Sequence, residues 1–321
     1  MNKKFLTFAV FLAIGGNAVN ADTVFVTLEK DNALAVMNST DGTLLKTVPI
    51  GKRPRGIALS PDNKSLYVAT SDDNTIKIFD AETLQETGRL PSGKDPETFA
   101  VSSNGEKMYV SNEDDSLVTV IDLAQKKIIK QIKVGVEPEG ICVSPDNQWL
   151  ISASETTNMV HWIDTKTQVI VENTLVDARP RYVTFTADSS QLWVTSEMAG
   201  TLAVLDATTK QPIKTITFAI QGVPNDKIQP VGIAIDKNRT RAYVALGMAN
   251  RVAVINAQTL EVEKYLLVGS RVWHLAFSSD EKHLYAANGA SNDVSIIDVE
   301  TQTVTKSVGV GNSPWGVVVK P

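Results

Sequence analysis

The sequence predicts an all-β ring, a seven-bladed β-propeller with four antiparallel strands in each blade. Three observations lead there. The first is a period of 42 residues, at which Pro54, Pro96, Pro138 and Pro180 each precede an apolar run. The second is a pair of further markers in the same register. Phe25, Tyr67, Tyr109, Ile151, Trp193, Tyr243 and Tyr285 sit inside a second apolar run, and Asn38, Asp80, Asp122, Asp164, Asp206, Asn256 and Asp298 close a third. Both markers step by 42 residues, apart from one step of 50 that places an insertion of eight within residues 218–228. The third is the form of the two ends. Residues 314–321 read as a first strand alone, and residues 23–27 as a second strand. Residues 22–50 and 311–319 therefore complete one blade together, which closes the ring and removes open sheet edges.

Each repeat divides into four strands, lettered A to D. In the second unit, residues 56–60 form strand A, and Pro61, Asp62 and Asn63 supply turn chemistry. Residues 65–70 form strand B, 75–80 strand C with apolar alternation, and 85–90 strand D. The Asp or Asn ending each strand C accepts backbone N–H bonds and holds the turn. Seven such residues spread around a ring form no common site.

Residues 1–21 read as a secretory signal peptide. Lys3 and Lys4 precede an apolar run over residues 5–14, and Val19 and Ala21 suit cleavage after Ala21. The run is shorter than the roughly 20 residues needed to span a bilayer. The expected location is the periplasm or the exterior, with residues 22–321 forming the propeller. Net charge is −5, from 31 basic and 36 acidic residues. That balance opposes nucleic-acid binding, which needs a basic stripe. The single Cys, Cys142, excludes an intrachain disulfide and a Cys-based zinc site. Closed edges point to a monomer with no membrane span.

Residues 66–71 (LYVATS), 108–113 (MYVSNE) and 284–289 (LYAANG) resemble the YVTN-type propeller repeat. Residues 154–164, 217–224, 229–235, 266–275 and 314–321 resemble the PQQ-dependent catabolism-associated β-propeller family. That resemblance implies a role beside quinoprotein alcohol oxidation. Its implied partners are a periplasmic quinoprotein dehydrogenase, its cytochrome or a transporter component. It implies no PQQ binding by this chain and brings no catalytic residues.

The D-to-A loops gather at one mouth of the channel. There they present Arg53 and Arg55, Asp95 and Glu97, Glu137 and Glu139, Arg179 and Arg181, then Arg271, Trp273, His274 and Trp315. The B-to-C loops add Glu29, Glu113, Glu155 and Glu197. Arg, Trp and carboxylates together suit recognition of a polar, planar or anionic group. A salt-bridged rim is the plain structural explanation of the same residues. His274 stands where Gly56, Gly140, Gly232 and Gly316 hold the register, as do Tyr182 and Thr98. It reads as a hydrogen-bonded plug, with general base as the alternative. Strand A is expected to point Ala58, Ala100, Cys142 and Ala276 at the axis, Cys142 being a small filler.

The first functional reading is a non-catalytic binding or scaffold propeller that uses this mouth, with no metal or cofactor. The alternative is a propeller hydrolase of lactonase type. It would use a divalent cation among Asn112, Glu113, Glu155 and Glu197, or acid–base work by His274. A third reading is a nucleic-acid or surface-polymer binder.

Overall fold

The computed structural model describes residues 22–321, and the expected signal peptide lies outside the described residues. Seven four-stranded antiparallel sheets form the ring. Blade 1 joins Pro314–Lys320 as strand A to Thr23–Leu28, Ala33–Asn38 and Leu44–Pro49. Its closing register pairs Thr23 with Lys320 and Val26 with Val317. The A strands of blades 2 to 7 are Pro54–Leu59, Pro96–Val101, Pro138–Val143, Pro180–Phe185, Ile233–Ile235 and Val272–Phe277. The remaining strands of blade 2 are Ser65–Thr70, Thr75–Asp80 and Glu86–Pro91, one residue or less from the expected positions.

Apolar side chains from facing sheets fill the gaps between blades. Trp162 meets Phe185 edge-on at 6.0 Å and Tyr243 meets Phe277 at 5.7 Å. Such pairs add about 0.5–1.5 kcal/mol beyond their buried area. The strand C acids do the predicted turn work. Asp80 Oδ1 accepts from the N–H groups of Glu82 and Thr83, and Asp206 repeats the pattern with Thr208 and Thr209.

One expectation is corrected. Ala58 and its equivalents do not point at the axis. Side chains on a strand alternate between two faces, and both faces of a blade are covered by neighbours. Ile57 packs between blades 1 and 2, Ala58 between blades 2 and 3. Cys142 likewise packs against the blade 4–5 core, and burial raises its thiol pKa far above the ordinary value. The channel is instead lined by strand A edges, at Gly56, Ile57, Thr98, Phe99, Ile141 and their counterparts.

Candidate active site at the channel mouth

A repeated backbone device builds the mouth. In every blade but the sixth the residue before strand A adopts a left-handed conformation, with φ of 48° at Arg53, 44° at Asp95, 62° at Arg179 and 53° at Arg271. Such backbone is uncommon for non-glycine residues and needs local support. An Asn in the preceding blade's B-to-C loop supplies it. Asn32 Oδ1 accepts the N–H of Arg53, Asn74 that of Asp95, Asn158 that of Arg179 and Asn250 that of Arg271. The carbonyls of the same residues then accept from the B-to-C loop of their own blade. Glu113 N–H bonds Asp95 O, Glu155 N–H bonds Glu137 O, and Glu197 N–H bonds Arg179 O. Each Glu is thereby set beside the opening of its own blade.

Two charged arcs result. In the first, Arg53 reaches Asp95 at 2.7 Å and Glu97 at 2.9 Å, while Arg55 bonds Glu29 at 3.0 Å and also binds Glu97. Glu97 is fully buried between the two guanidinium groups. Burial opposes the charge of Arg55, yet Glu97, Glu29 and Glu139 outweigh it and raise its pKa. In the second arc, Arg181 reaches Glu139 at 2.7 Å and Glu155 at 2.8 Å, and Arg179 reaches Glu155 at 2.7 Å. Glu197 stands 3.5 Å from Arg179 and 3.6 Å from Arg271.

In each arc one carboxyl beside another has a raised pKa. Glu113 takes part in none of the ion pairs of the first arc. Burial, the Glu97 charge and a bond to Glu97 raise its pKa to about 7. In the second arc, burial lifts Glu139 well above the carboxylate range against the pull of Arg181. Its partner Glu155 is also disfavoured by burial, but the bond from Glu139 and the charges of Arg181 and Arg179 hold it below. Like charges side by side do not both ionise.

The cation site expected among Asn112, Glu113, Glu155 and Glu197 is not assembled. Asn112 is buried and committed, donating to Ser92 Oγ and Lys94 O and accepting from Thr119. Glu155 and Glu197 belong to the other arc. Glu113 instead gathers with Asp95 and Glu97, their oxygens within 4.8 Å of one another. Arg53 and Arg55 already neutralise two of those three groups.

Beneath the arcs, the residue next in each strand A alternates around the ring as Gly56, Thr98, Gly140, Tyr182, Gly232, His274 and Gly316. A Cβ at Gly56 would sit 2.8 Å from Glu97 O, at Gly140 2.6 Å from Arg181 O and at Gly232 2.5 Å from Trp273 O. Each Gly thus lets the next blade approach the axis with its larger side chain. His274 Nδ1 lies 3.1 Å from Trp315 O, as expected for a plug. Burial and the charges of Arg181 and Arg55 lower its pKa to about 3, with the Trp315 bond opposing them. A neutral imidazole with so low a pKa is a poor general base at neutral pH, which answers that alternative. Trp273 carries Arg271 over its ring at 4.4 Å, and Trp315 carries Arg55 at 5.5 Å. Arg53, Arg55, Glu97, Glu113, Glu139, Glu155, Arg179, Arg181, Glu197, Arg271, Trp273, His274 and Trp315 stand in these arcs or directly beneath them.

Fold and mouth together define a seven-bladed propeller with a charged, aromatic-floored funnel. The family model of the choice-of-anchor I domain matches residues 114–280, more than half of the chain. The chain belongs to that family. A second model, the seven-bladed β-propeller lactonase, matches residues 19–128. No curated protein matches. Among solved structures, the periplasmic gluconolactonase of Pseudomonas aeruginosa superposes with a TM-score of 0.78 at 16% identity, covering 94% of this chain and 99% of that one. A protein of Bacteroides uniformis assigned as a 6-phosphogluconolactonase gives the same four values. Hydrazine synthase of Kuenenia stuttgartiensis gives 0.57 at 21% identity, covering 77% and 95%. At these identities the structures establish the fold alone. The expectation of a non-catalytic scaffold is corrected by the lactonase match, which favours the hydrolase alternative. Neither matching model is that of the PQQ-dependent catabolism-associated family.

Proposed function

We propose that the protein hydrolyses a lactone at this mouth, with Glu113 as general base. One observation carries the reading. The segment similar to the lactonase model, residues 19–128, contains the whole first arc: Glu29, Arg53, Arg55, Asp95, Glu97 and Glu113. A carboxyl with a pKa near 7 is about half ionised at neutral pH, the poise that suits a general base. Water adds to the lactone carbonyl carbon as Glu113 takes one of its protons. Arg53, the more exposed cation of the arc, meets the oxyanion that forms. The ring C–O bond then breaks, and the proton held by Glu113 passes to the departing ring oxygen. Water and lactone yield one hydroxy acid.

A location outside the cytoplasm is supported by the signal-like residues 1–21, by the choice-of-anchor family and by the periplasmic gluconolactonase among the similar folds. Oxidation of a cyclic hemiacetal at its anomeric carbon yields a lactone. That is the one link this reading keeps with the dehydrogenase context implied by the sequence resemblance. The test is proton release from D-glucono-δ-lactone at fixed pH, with the spontaneous rate subtracted. Acceleration by wild-type protein is expected, and no acceleration on any aldonolactone overturns the reading.

A further inference from the structure

The channel beneath the arcs holds a cavity of about 100 Å³ whose walls include Thr98, Tyr182, His274 and Trp315. Three of these form a row of rings. His274 lies 5.4 Å from Tyr182 and 4.1 Å from Trp315, centroid to centroid. Their polar atoms have complementary roles. The Trp315 carbonyl can only accept, so His274 Nδ1 carries the hydrogen and Nε2 presents a lone pair. Trp315 is 2% exposed, and its Nε1–H is buried without a partner. The Tyr182 hydroxyl both donates and accepts. The Trp315 N–H has no accessible surface, so Trp315 contributes its ring and carbonyl to the wall, and the open polar groups are His274 Nε2 and the Tyr182 hydroxyl. No Lys or Arg lines the cavity, and His274 is neutral at working pH. The arginines above, Arg55 and Arg181, are each already tied to two carboxylates. A phosphate dianion finds no free cation there.

We infer that Tyr182, His274 and Trp315 form a subsite for the uncharged hydroxymethyl end of an aldonolactone, which makes the unphosphorylated sugar lactone the substrate class. This rests on the lactonase reading. The two ends of the site lie one residue apart along the chain. Glu97 adjoins Glu113, and the next residue, Thr98, is cavity wall.

The test separates binding from turnover by using D-glucono-δ-lactam, a non-hydrolysable analogue, with its 6-deoxy and 6-phosphate forms. Calorimetric titration of the wild-type protein is expected to show at least tenfold tighter binding of the lactam than of either altered form. The conservative variant Tyr182→Phe is expected to weaken lactam binding about tenfold and leave the 6-deoxy form unchanged. Equal binding of the 6-deoxy or 6-phosphate form overturns the inference, as does absence of lactam binding. If the 6-hydroxyl preference appears without lactone turnover, the subsite stands and the lactonase reading fails. If turnover appears without that preference, the subsite alone fails.

Discussion

Glu113 lies against the fully buried Glu97, and both arginines of the arc pair with Glu97 while neither pairs with Glu113. This asymmetry separates two chemically identical side chains. Glu97 holds the arc together through its bonds from Arg53 and Arg55. Glu113 is the group left free to gain and lose a proton near pH 7.

Turnover follows from that poise. As a general base Glu113 acts when ionised, so kcat/KM for lactone hydrolysis is expected to rise with pH through about 7 and level above it. Initial rates between pH 5 and 8.5, corrected for spontaneous opening, check this. A profile flat across that range removes Glu113 from the role.

Stability carries the same pKa with a definite sign. The folded-state pKa of Glu113 is raised, so its contribution is fully present below the unfolded value near 4.5 and is lost as pH rises through about 7. Glu113→Gln keeps the neutral form at every pH. It is expected to melt above wild type at pH 8, by about 1 kcal/mol once solvent screening of a half-buried group is discounted. The difference should vanish near pH 4.5. Paired melting curves at the two pH values decide it.

Arg55→Ala removes one of the two clamps on a carboxylate with no solvent access. Breaking a buried pair from one side costs about 3–5 kcal/mol. Arg53 is more exposed, so Arg53→Ala should cost less. Denaturant midpoints for the two variants test the order, and equal losses contradict the clamp.

His274 is expected to stay neutral, with the hydrogen on Nδ1, down to about pH 3. Imidazole nitrogen chemical shifts followed from pH 8 to pH 4 report it directly. A titration near 6.5 contradicts the buried geometry.

The fold was legible because a propeller writes its period into the chain. Strand boundaries fell within one residue where turn chemistry marked them, as at Pro61 to Asn63. The mouth was legible as a collection of residues for the same reason. Its pairing was not. Which carboxylate is clamped and which is free depends on contacts between blades, at separations such as the 42 residues from Arg55 to Glu97. The axial facing of strand A was misjudged because a blade buries both of its faces, which an alternation pattern alone does not reveal. One signal was present and unused. Asn32, Asn74, Asn158, Asn250 and Asn292 fall in the repeat register and mark the anchors of the mouth. The replacement of the register Gly by Thr98, Tyr182 and His274, already read from the sequence, marks the blades that reach into the channel.

The most direct test of the account compares wild type and Glu113→Gln as catalysts of D-glucono-δ-lactone opening at pH 7.5, with folding of both confirmed by melting. General-base catalysis is typically worth about 10²–10⁴ in rate. The account predicts turnover by the wild-type protein and a loss of at least about a hundredfold in kcat/KM for the variant. Wild-type turnover that survives intact in Glu113→Gln would contradict it.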